Sequence, residues 1–210
     1  MAETLITLGI IGIVAAITIP ALIQNNYEKQ TVAKLIQFQS IMSQAMKMAQ
    51  EEYGDVEGWG IDAYTGASAT KAANNLKPYL KLAIDCGVDD SAGKCMYPYM
   101  YKLKNGKNYL NPAADTQSYK LSLLSGVGFS ISTYPDGKTP IVLGVDVNGK
   151  RLPNMSGVDH FLFRYENGSF RPSGAPDSTY PYETNCKSKD STGYGCAYWV
   201  VMNKNMNYLH

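Results

Sequence analysis

Charge is scarce in this chain: Asp, Glu, Lys and Arg make up 18% of its 210 residues and nearly cancel, leaving a formal net charge of +1. Such a balance sets up no strong field toward nucleic acid or an acidic surface. Histidine is scarcer still, at two residues, and these form no two-His metal motif. No Ser or Cys stands in a recognisable nucleophile context, and no Gly-rich phosphate loop occurs. His160 follows Asp159, but neighbours on a strand point to opposite faces, so the pair is not expected to work as a base and its orienter. These absences argue against an enzyme. Phe is sparse at five residues against sixteen Tyr. Tyr joins an apolar ring to a polar tip, which suits half-buried strand positions and packing interfaces.

Four cysteines fall into two local pairs, Cys86 with Cys95 and Cys186 with Cys196. Neither pair has the C-x2-C spacing of a zinc site. Four cysteines allow three pairings, and bridges inside each local pair are preferred here. An even count in loops rich in Gly, Asp and Ser fits an oxidising compartment.

What the chain does have is one long uncharged run. Residues 4–27 carry no charge, and residues 5–23 read LITLGIIGIVAAITIPALI. About twenty helical residues cover the roughly 30 Å hydrocarbon core of a bilayer, so this run is expected to span a membrane. Only Thr7 and Thr18 interrupt it with hydroxyls, which can bond back to the helix backbone. Glu3 is the one charge ahead of it, where an acidic group is favoured by the helix dipole. Pro20 sits inside the helical pattern and predicts a kink or local unwinding. Gly9, Gly12 and Ala16 lie near helical spacing, and small residues let helix backbones approach closely in an apolar medium. Beyond Asn26 the pattern turns amphipathic: Val32, Leu35, Phe38, Met42, Ala45 and Ala49 recur at three- and four-residue spacing, up to a stop at Gly54. One helix over residues 3–53 is the simplest reading.

Glu3 followed by TLITLGIIGIVAAITIPALI resembles the N-terminal segment of type IV pilins and type II secretion pseudopilins. The likeness is dense over residues 2–25 and looser through the amphipathic half. It implies a subunit held in the bacterial inner membrane by a single span, with its head outside the cytoplasm. The same helices would then bundle as a filament core in the periplasm or at the cell surface. The implied partners are other pilin or pseudopilin subunits, the inner-membrane assembly machinery and membrane lipid. The resemblance puts Glu3 at the family's glutamate, which neutralises the N-terminal amine of a neighbouring subunit, and Pro20 at its helix-breaking proline. The family's basic leader and methylated Phe are not among these residues, so leader cleavage and methylation are implied by the family alone.

The remainder is expected to form a head over residues 55–210, after a membrane segment over 1–24 and its continuation over 25–54. Residues 58–73 read as a Gly- and Ala-rich loop with a short helix over 69–82. Asn105-Gly106, Asn148-Gly149 and Asn167-Gly168 are strong hairpin signals between apolar runs. They predict strands in MYPYMYKL, YKLSLLSGVGFSIST, PIVLGVDV and HFLFRYE, with a last strand in AYWVVM. The expected fold class is α+β, a long N-terminal helix packed on an antiparallel sheet, which is also the pilin-like layout. Asp146, Asn148, Asn154 and Asp159 share one hairpin-loop segment. Oxygen ligands in a loop suit calcium, and major pseudopilins carry a calcium loop late in the head. Asx residues are equally the ordinary turn formers.

Overall fold

A computed structural model describes residues 2–61, 63–135 and 137–210, with side chains from residue 7 onward. Helix α1 runs over Ala2–Tyr53 and is continuous through Pro20, so the expected local unwinding is absent. A proline removes one N–H from the ladder, and the bonds on either side hold the turn. Val32, Leu35, Phe38, Met42, Ala45 and Ala49 are all buried, and Met46 joins them. Across residues 7–24, by contrast, every side chain but that of Ala15 is exposed.

The head carries a six-stranded sheet in simple sequence order, β1 (Leu82–Gly87), β2 (Tyr119–Leu123), β3 (Gly128–Thr133), β4 (Ile141–Asp146), β5 (His160–Glu166) and β6 (Ser169–Pro172). All neighbouring strands pair antiparallel. The fold is therefore α+β, as expected. Strand alternation gives the sheet two unlike faces. Leu121, Phe129, Val145 and Phe161 line up across β2–β5 on the side that meets α1, where Phe38 sets its ring 5.4 Å from both Phe129 and Phe163. The opposite face carries Lys120, Ser130, Ser132, Asp146, His160 and Arg164, and loops cover it.

Four local expectations are corrected. Helix α2 covers Gly66–Leu76 rather than 69–82, starting where Ser68 N–H donates to Thr65 Oγ1 at 3.2 Å. Pro78 has no N–H to continue the α-helical ladder, so the chain passes through a 3-10 turn over Lys77–Tyr79 and then into β1, a strand for which the sequence reading made no assignment beyond Leu82. MYPYMYKL forms only two isolated bridges, from Lys102 to Asn108 and to Met155, since Pro98 has no N–H to give a ladder. YKLSLLSGVGFSIST is a hairpin of two strands, β2 and β3, turning at Gly126 with φ +80°. AYWVVM is helical: α4 spans Cys196–Asn203 and buries Cys196, Ala197 and Val200 at helical spacing. A short apolar run fits either period, and length alone does not separate them. A single turn, α3 (Tyr182–Asn185), precedes it.

Both disulfides join the preferred local pairs, Cys86–Cys95 and Cys186–Cys196. The second ties α3 to α4. Each closes a loop of about ten residues, which in a chain-entropy account contributes about 2–3 kcal/mol.

Candidate functional site

Two regions carry the residues singled out by sequence. The first is the free half of α1. One helix, described from Thr7, is long and apolar enough to cross a membrane, and none of its most apolar window is buried against the head. Leu8, Ile11, Ile13, Ile17 and Leu22 are all large, apolar and exposed. Such a surface is unstable in water and calls for lipid or protein around it. Gly9 and Gly12 have open space where a Cβ would stand, and Ala16 is exposed beside them. Thr18 returns its hydroxyl to Val14 O at 2.9 Å, so the segment presents little unsatisfied polarity. The side chain of Glu3 lies outside the described residues.

The head is clamped to α1 just beyond this segment. Lys34 Nζ donates to Val147 O at 2.9 Å, Asn148 Nδ2 to Tyr27 Oη at 3.2 Å, and His210 pairs with Glu28 at 3.0 Å. Helix orientation is thus coupled to the loop after β4.

That loop is the second region. The structure gathers Asp146, Asn148, Asn154 and Asp159, which the sequence offered either as calcium ligands or as turn formers, into one buried knot. Asp159 accepts from Met155 N at 2.6 Å, Asn154 N at 2.8 Å and Asn148 Nδ2 at 3.0 Å. Asp146 accepts from Tyr101 Oη at 2.5 Å and Asn148 N at 3.2 Å. With its amide oriented to satisfy its neighbours, Asn154 Nδ2 donates to Asp146 Oδ2 and Arg151 O, each at 3.1 Å. The carboxylate oxygens are thus engaged by protein donors, which is the work Asx residues do in turns. Burial raises both aspartates, Asp146 well above the usual carboxylate range, and Asp159 adds to the effect on Asp146. His160 does not join Asp159: its ring lies on the polar sheet face, edge-on to Tyr101 with centroids 5.2 Å apart.

A third cluster, Cys86, Asp90 and Cys95, is compact enough to hold a metal, but the two sulfurs are bonded to each other. Asp90 instead caps the loop, accepting from the backbone N–H of Lys94, Cys95 and Met96. Sequence reasoning did not single out Arg164 or the tyrosines packed over the polar face. The available signal was the alternation within HFLFRYE, which puts His160, Leu162 and Arg164 on one side.

A family model described as a family of unknown function (DUF6613) matches residues 21–205. No curated protein and no solved structure matches the chain.

Proposed function

The chain belongs to this family of unknown function, and from its own residues we propose that it is a structural subunit of a type IV pilus or type II secretion filament. One observation carries the reading: α1 is a single helix whose second half is built into the head, while its first half stands clear, apolar on every side. A helix serving only as an anchor has no need of open Gly positions along it. Glu3 at the head of the helix, with Gly9, Gly12 and Ala16 below it, supplies a charge for a neighbouring amine and a surface for close helix packing. In this reading the span sits in the bacterial inner membrane with the head outside the cytoplasm, where both disulfides are stable. The partners are further subunits and an inner-membrane assembly machine, and the chain catalyses nothing.

Glu3→Ala tests the reading. The variant should insert in the membrane at wild-type level and fail to enter filaments. Normal filament entry by that variant would remove Glu3 as the assembly device, while a wild-type chain that enters no filament would sink the reading and favour a second one, a membrane-tethered binding module that does not assemble, for which the tyrosines packed over the polar sheet face speak.

A further inference from the structure

The polar face of the sheet carries two buried cations, treated very differently. Lys120 is fully buried, and its ammonium donates to Val88 O and Ser118 O at 2.9 Å each and also to Asp115 O. All three of its donors are used. Arg164 is 7% exposed, yet among the described residues its guanidinium makes no hydrogen bond. Its Nε is buried without a partner, and Glu166 stands 4.0 Å away. That carboxylate is already engaged by Arg171 at 3.1 Å and by Thr179 N and Oγ1 at 3.0 and 2.8 Å. A buried guanidinium with unused donors is costly unless something else supplies acceptors.

Arg164 opens onto a cleft of about 320 Å3 between the sheet and the loops over it, near the lower end of the range for small-molecule sites. Its walls are tyrosines. Tyr180 lies under the guanidinium, 5.0 Å from ring centre to Cζ, and packs on Tyr194 at 5.1 Å. Tyr64 and Tyr134 stack at 4.9 Å. All four are half-buried, which leaves the cleft open to solvent. The rest of the lining is rich in hydroxyls, with Ser118, Ser130, Ser132 and Thr179, and includes Asp115. His160 lines the floor with Nδ1 buried and unpartnered. It has room only because residue 144 is Gly: a Cβ there would stand 2.9 Å from His160 Nε2.

Each part of this lining restricts the ligand. A planar guanidinium with free donors matches a carboxylate, which it can hold bidentately. Asp115 repels a second anionic group and accepts hydroxyls instead. Serine, threonine and tyrosine hydroxyls, with the imidazole, suit a body carrying several hydroxyls rather than an alkyl chain. Tyrosine faces pack against the C–H faces of a ring and keep the polar tip free.

We propose that this cleft binds a carboxylated sugar of the uronate type, one ring deep, with its carboxylate on Arg164 and its hydroxyls toward Asp115, His160 and the serines. The site goes beyond the filament reading and is independent of it, since the cleft lies on the sheet face away from α1.

The test is calorimetric titration of the full chain in detergent micelles at neutral pH with D-glucuronate, against glucose and hexanoate. Glucuronate is expected to bind with a Kd of about 1 mM or tighter, and glucose and hexanoate at least about tenfold more weakly. Arg164→Gln should weaken glucuronate by at least about tenfold. Because Arg164 is buried, that variant can fail to fold. Val142→Trp, which fills the cleft from a half-buried position, then replaces it and should abolish binding. No binding of glucuronate up to about 10 mM overturns the site. So does glucose binding equally well, which removes the role of the cation, or hexanoate binding equally well, which points to a carboxylate pocket indifferent to hydroxyls. Unchanged affinity in folded Arg164→Gln or Val142→Trp overturns it as well.

Discussion

Asp146 on β4 lies directly across from His160 on β5 in the sheet register, and burial moves the two in opposite directions. The carboxyl is pushed up and the imidazole is pushed down to about 4. Each is thereby held closer to its neutral form.

His160 gives the first prediction. Its folded pKa of about 4 lies below the ordinary value of 6.5, so the unfolded chain binds a proton more readily between those values. The stability it contributes is complete above about pH 6.5 and is lost as pH falls toward 4, by on the order of 3 kcal/mol. Urea midpoints of the full chain in detergent should fall across that interval. His160→Gln should flatten this part of the curve, and an unaltered slope in that variant would contradict the burial argument.

The aspartates act with the other sign. Asp146 and Asp159 both have raised values, so their contribution is complete below the unfolded carboxylate pKa of about 4 and declines as pH rises through the folded values. At neutral pH Asp146 leans on the hydroxyl of Tyr101, 2.5 Å away. Tyr101→Phe deletes a donor to a buried carboxyl and should cost about 2 kcal/mol at pH 7. The cost should shrink near pH 4, where the carboxyl is protonated. A pH-independent loss would assign Tyr101 a packing role alone.

How much of this was legible in the sequence varies with the range of the signal. The stripe from Val32 to Ala49 was readable because a single helix face repeats over many turns, and every residue of it is buried. The Asn-Gly turn at Asn167-Gly168 was readable for a local reason: the turn needs φ > 0, and both residues have it, at 53° and 72°. AYWVVM was misread because eight helical residues hold only two turns, too few to fix a period. Strand β1 was missed because half of it faces solvent and its exposed residues are consecutive, so it shows no alternation. The Asp146–Asp159 knot was seen as a cluster, since its members share one loop. Its hydrogen bonds were not legible, because Tyr101 reaches Asp146 from 45 positions away. The cleft was invisible for the same reason: Tyr64, Tyr134, Tyr180 and Arg164 meet only when the loops fold over the sheet.

The two halves of α1 should respond differently to truncation. Phe38 is 1% exposed and sits between Phe129 and Phe163, so Phe38→Ala should destabilise the head by about 3–5 kcal/mol. Ile17 is 71% exposed, and Ile17→Ala should leave the head's urea midpoint unchanged. Equal losses at both positions would mean that the apolar half packs on the head in solution.

The filament reading makes its sharpest demand at Gly12. The position has open space around it, so Gly12→Leu can be built without touching the head, and leucine is the better helix former by close to 1 kcal/mol. Stability and membrane insertion should therefore hold or improve. Helix–helix contact is another matter, because the side chain stands where a second backbone must approach. In lipid bicelles, sedimentation should find the wild-type chain self-associated and Gly12→Leu monomeric, and in cells the variant should drop out of filaments. A chain that only tethers a binding head to the membrane predicts a monomer in both cases. A variant that associates as well as wild type would move any packing surface off this face of the helix, and with it the case for small residues as the assembly device.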